Sequence, residues 1–157
     1  MPGPEVRPAT DAAYRDIIDR FTRDHDAFVA QLDKLKAYVE AGGDVREAIV
    51  GMRVLGRPLL QHASNEEGCL FPELIEKIGG PDGPVRVLQE EHVVIHGQVD
   101  ELTADPNREK FVAIYRAFDR LLREHIDKER EVVFPLSQEL LGERRLQELD
   151  RQVPSQN

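Results

Sequence analysis

Apolar residues recur along this chain at alternating steps of three and four, the spacing that aligns them on one face of an α-helix. The first such seam is Tyr14, Ile18, Phe21, His25, Phe28, Leu32, Leu35 and Val39. Thr10 is placed to cap its start, and Gly42-Gly43 to end it. Asp44, with Glu47 three residues on, reads as a capping box opening a second helix. Its seam is Ala48, Met52, Leu55, Leu59, His62, Glu66 and Cys69. Pro58 lies inside it and, lacking a backbone donor, is expected to kink or interrupt it. Gly79 to Pro84 reads as a loop, with Pro84 suited to the first turn of a third helix. That helix carries Val85, Leu88, His92, His96, Val99 and Leu102 inward. Val93-Val94-Ile95 alone suggests a strand, but the longer flanking periodicity outweighs it. Asp105-Pro106 is expected to open the fourth helix as N-cap and first residue. The fourth seam is Phe111, Ile114, Phe118, Leu121, His125, Glu129, Val132 and Leu136.

A short amphipathic piece with Leu146 and Leu149 follows Gly142. The connections are short, so neighbouring helices should run antiparallel. The expected fold class is all-α: an up-down-up-down four-helix bundle with a short C-terminal helix. One domain over 1–157 is expected, with the bundle at about 10–140 and a polar tail over 150–157.

Composition narrows the function. Twenty-one Lys and Arg against 30 Asp and Glu leave a net charge of −9. That balance argues against nucleic-acid and anionic-membrane partners, which need a basic face. A lone Cys, Cys69, excludes an intrachain disulfide and a Cys-rich zinc site. No apolar run approaches the roughly 18 residues of a membrane span. The first residues, MPGPEVRPATDAAY, lack the basic-then-apolar layout of a secretory signal. A reducing, cytoplasmic setting is the expectation.

The seams carry the chemistry. All five histidines, His25, His62, His92, His96 and His125, fall on them, and so do Glu66 and Glu129. A single core histidine is ordinarily a hydrogen-bonded structural residue. Five of them with two carboxylates break the apolar pattern too consistently for that reading. His62 and Glu66, His92 and His96, and His125 and Glu129 each stand four apart. Four residues advance about 40° round a helix, so each pair shares a face. Mixed imidazole and carboxylate ligands suit iron, zinc or manganese, and an imidazole-rich set fits iron well. The chain also repeats itself: HASNEEGCLFP begins at 62 and HIDKEREVVFP at 125, both fitting H-x3-E-x4-F-P. Two helical hairpins clamping a shared centre would explain this repeat. The Phe-Pro pairs are expected to stop or bend their helices.

With His on the first helix, His-x3-Glu on the second, His-x3-His on the third and His-x3-Glu on the fourth, the chain resembles the hemerythrin-like, HHE cation-binding family. The resemblance implies a bundle around a non-haem centre of two iron ions joined by an oxo or hydroxo bridge. It implies that His92, His96 and His125 hold one iron, that His25 and His62 hold the other, and that Glu66 and Glu129 bridge them. One feature departs from the oxygen carriers of the family. They have an Asp five residues after the last His, whereas this chain has Glu129 at four and Arg130 at five.

With that ligand set, one coordination position is open, beside His25 and His62. An apolar core around it admits O2, NO or peroxide more readily than a charged metabolite. The leading expectation is a carrier or sensor binding O2 or NO there. The alternatives are an enzyme decomposing peroxide or processing NO, with an unidentified redox partner, or an iron-donating repair protein. The Glu-x-x-His pairs of ferritin-like sites are missing. A metal-free interaction bundle leaves the seam ligands without a purpose. Glu67, Glu91 and Asp127 flank the ligands and are candidates to orient them, though solvated helix residues are the plainer reading. Cys69 reads as a small buried hydrophobe, and Tyr14 and Tyr115 as core.

Overall fold

A computed structural model describes residues 14–154, all of its regular structure helical. Helix α1 spans Ile17–Glu40, α2 Val45–Asn65, α3 Phe71–Ile78, α4 Pro84–Thr103, α5 Arg108–Lys128 and α6 Phe134–Gln152. A five-residue π-helical turn, Glu66–Leu70, joins α2 to α3 without a break, and a second, Glu129–Val133, joins α5 to α6. The chain thus makes four long rods in up-down-up-down order. Gly142, at φ 79, bends the last one into a short C-terminal helix. No helix among the described residues is long and apolar enough to cross a membrane.

The helix ends follow local chemistry. Thr10 lies outside the described residues, and α1 is capped by Asp16, whose side chain accepts from the Asp19 amide at 2.9 Å. The helix ends as expected at Gly42, which takes φ 81, while the Gly43 amide returns to the Tyr38 carbonyl. Asp44 caps α2 by accepting from the Arg46 amide, but no capping box forms. Its own amide donates to the Tyr38 hydroxyl, which takes the place Glu47 would have filled. Pro58 does not interrupt α2. It lies on the exposed outer face, four residues after exposed Val54, where a carbonyl without its helical donor remains open to water. Pro84 opens α4 as expected. Helix α5 starts two residues later than expected, because Asp105 spends itself on the reversal at φ 61 and Asn107 caps instead, accepting from the Lys110 amide.

Two apolar clusters fill the bundle. One joins Phe28, Leu32, Met52, Leu55, Leu102, Phe111 and Phe118. The other joins Ile17, Phe21, Leu70, Phe71, Val85, Val133 and Phe134 with Leu146 and Leu149 of the C-terminal helix. Tyr115 is buried in the first and donates its hydroxyl to the Leu32 carbonyl. Tyr14 is not core: it is half-buried ahead of α1, under the guanidinium of Arg20 at 4.4 Å.

Candidate metal centre

Between the two apolar clusters lies a layer of buried polar groups. His25 sits between Phe21 and Phe28 on α1, and His92 lies in the middle of α4. His62 and His125 occupy the last turns of α2 and α5. Glu66 and Glu129 are the first residues of the two π-turns, and both are fully buried. The repeated spacing from Glu to Phe-Pro is the sequence of that turn. The Phe71 amide donates to the Glu66 carbonyl and the Phe134 amide to the Glu129 carbonyl, each five residues back. A wide turn tolerates the missing amide of Pro72 or Pro135, so the helices run on where the sequence suggested a stop.

Each π-turn also inserts one residue into the helical register. The inward seam therefore passes through Leu70, Val133 and Ser137 rather than through Cys69, Val132 and Leu136. Cys69 is half-buried and joins no ligand group, and burial pushes its thiol up. On α5, Tyr115 and Leu122 are buried where Ile114 and Leu121 were expected. Phe71 stacks on His92 with ring centroids 5.7 Å apart, and Phe134 on His25 at 5.3 Å. Each Phe of the repeat thus packs on a histidine of the other hairpin.

Six of the seven sequence-predicted ligands converge. Two groups have ligand atoms within 4.8 Å of one another: His25, His62, Glu66 and Glu129 in one, and His92, His125, Glu66 and Glu129 in the other. Each carboxylate reaches both halves. Glu66 places Oε2 3.2 Å from His62 Nε2 and Oε1 3.1 Å from His92 Nε2. Glu129 places Oε1 2.8 Å from His25 Nε2 and Oε2 3.5 Å from His125 Nε2.

The seventh, His96, is not among them. The regular alternation on α4 runs Leu88, His92, Ile95, Val99, which buries Ile95 and turns the next residue outward. His96 is 60% exposed, its Nδ1 3.3 Å from Asp100 one turn on.

Carboxylates orient three of the four histidines from behind. His62 Nδ1 donates to Asp24 at 2.7 Å, His92 Nδ1 to Glu67 at 2.7 Å and His125 Nδ1 to Glu91 at 2.8 Å. A proton on Nδ1 leaves Nε2 to serve the centre, the arrangement found around metal-ligating histidines. Glu67 and Glu91 were legible as neighbours of ligands. Asp127 is exposed and plays no such part, and Asp24 was missed although it immediately precedes His25.

The residues fit a metal. His62 Nε2, His92 Nε2, both Glu66 oxygens and Glu129 Oε2 are buried without a hydrogen bond, although oppositely charged atoms stand close by. Buried polar atoms aimed at a common point without satisfying one another are what a cation's ligands look like when protein groups alone are counted. The charges agree. Burial alone would lower the His125 pKa, but Glu129, Glu66 and Glu91 outweigh it and hold it at about 8. His62 is raised against burial by Glu66, Asp24 and Glu129, and His92 against burial chiefly by Glu66. Glu129 is held well below the carboxylate range, against its burial, by His125, His25 and His62 around it. The buried carboxylates thus favour positive charge at this point of the core.

A cavity of about 20 Å³, room for one water-sized molecule, is lined by the four imidazoles and Glu129 together with Phe28, Leu59, Ile95, Leu122 and Ile126. Leu60, Ala63 and His92 also line an open surface groove between α2 and α4, so that wall separates the centre from solvent.

A helical bundle whose paired half-sites share two carboxylates defines a class of cation-binding proteins. The chain matches the hemerythrin HHE cation-binding domain over residues 16–137 and belongs to that family. No individual curated protein and no solved structure matches it.

Proposed function

We propose that the protein holds two iron ions and binds O2 or NO as a carrier or sensor. His25 and His62 would hold one ion and His92 and His125 the other, with Glu66 and Glu129 available to both. Iron bound there supplies open coordination positions and reversible redox chemistry for a diatomic ligand. With His96 outside the centre, each ion has two histidines rather than three on one and two on the other, so both halves keep room for a ligand. The observation that carries the reading is the small cavity at the centre, where the four imidazoles and Glu129 meet an otherwise apolar lining. It suits a neutral diatomic, and apart from the ligands themselves its lining contains no side chain that donates a proton.

That lining also weighs against the second reading, turnover of peroxide or NO, which His96 leaving the centre would otherwise favour by freeing positions. The test is an oxygen cycle on anaerobically reduced, iron-loaded protein followed by absorbance. A band that appears with O2 and vanishes on evacuation over several cycles is expected. Irreversible conversion to an oxidised spectrum would overturn the carrier or sensor reading in favour of the enzyme.

A further inference from the structure

The two halves of the centre repeat each other's contacts until one position breaks the match. In the repeat, His62 corresponds to His125, Glu66 to Glu129 and Phe71 to Phe134. The supporting carboxylates follow the same rule. Asp24, just before His25, accepts from His62, and Glu91, just before His92, accepts from His125. Glu67, just after Glu66, accepts from His92. The residue just after Glu129, where the repeat would place a carboxylate for His25, is Arg130. It turns away to Asp26, its Nη1 3.1 Å from the carboxylate. His25 Nδ1 is accordingly buried with no hydrogen-bond partner among the described residues.

The next layer of contacts deepens the difference. Gln89 donates to the second oxygen of Glu67 at 3.2 Å, and Lys128 donates to the second oxygen of Glu91. Both supports of the His92/His125 half are thus fixed at both oxygens. Asp24 has His62 as its one side-chain partner among the described residues, so only one of its oxygens is held. An imidazole with a fixed tautomer and orientation is the better ligand, and losing such a support typically costs about 10- to 100-fold in metal affinity.

We propose that the half-sites bind cations with unequal affinity, the His92/His125 half filling first and the His25/His62 half last, because Arg130 stands where His25 needs a carboxylate. The more exchangeable ion is therefore the one beside His25 and His62. This rests on the two-metal reading above.

The experiment is titration of the metal-free full chain with Co²⁺, followed by absorbance and calorimetry. Two one-equivalent steps are expected, separated by about 10- to 100-fold in affinity. Arg130→Glu should tighten the second step toward the first. Glu67→Gln should weaken the first step toward the second. His25→Ala should abolish the second step and spare the first. Should Arg130→Glu fold poorly by circular dichroism, Glu67→Gln and His25→Ala decide alone. Two equivalents taken up with equal affinity, or Glu67→Gln weakening the later step, would overturn the inference while leaving a two-metal centre intact. Failure to bind two equivalents at all would instead overturn the two-metal reading.

Discussion

Three of the four histidines of the centre divide their labour between two nitrogens. Nδ1 faces a carboxylate in His62, His92 and His125, and Nε2 faces Glu66 or Glu129. The buried carboxylates favour protonated imidazoles at His62, His92 and His125, so metal competes with protons at Nε2. Because His125 is held at about 8, apparent Co²⁺ affinity should rise with pH from about 6 to about 8. Proton release on binding, measured by calorimetry in buffers of different ionisation enthalpy, checks this. An affinity flat across that range would contradict it.

The linked stability has the same origin. A histidine pKa raised on folding stabilises the metal-free protein fully below its ordinary value, and that contribution is lost as pH rises through about 8. The depressed Glu129 contributes above the ordinary carboxylate range, and its share is lost in acid. His96 shows how far a residue's neighbours outweigh its identity. It is the same imidazole as the others, but one position along from Ile95 it meets water and Asp100. His96→Ala should leave metal stoichiometry and the Co²⁺ spectrum unchanged, whereas loss of one equivalent would return it to the ligand set.

At the scale of elements, the two π-turns join the site to the core. Each begins at a glutamate shared by the two ligand groups and leads into a phenylalanine that is buried and packed on a histidine from the other hairpin. The extra residue each turn absorbs is the reason the periodicity of the sequence slips beyond Glu66 and Glu129. An α-helical count puts Val132 inside, but it is half exposed, and Val133 is buried in its stead. Local spacing could not show this, because a π-turn leaves no apolar signature. Its only trace was the shared distance from Glu to Phe-Pro. Phe71→Ala should cost the metal-free protein about 3–5 kcal/mol in urea unfolding, the loss for truncating a buried aromatic. A loss below about 1 kcal/mol would mean that the wide turn relaxes to an α-helix and refills the space.

Over the whole molecule, a polar layer lies between two apolar clusters, and packing from both ends holds it in place. The C-terminal helix closes one end. Arg145 grips Glu73 of α3 through two nitrogens, at 2.9 and 2.8 Å, and Arg20 of α1 reaches Asp150 at 2.6 Å. Those pairs tie the last helix to the first and third across 130 and 72 residues of chain. The order of residues alone suffices for the helices, their antiparallel order and the mid-bundle height of the ligands, because hydrophobic periodicity and short loops are local properties. It suffices for the His-x3-Glu repeat for the same reason. Packing between helices settles which of two adjacent residues faces inward on α4 and α5, that the Phe-Pro pairs continue their helices, and that His25 stands without the carboxylate its counterpart has. Those outcomes depend on contacts between helices, where a rotation of one residue about an axis exchanges core for solvent.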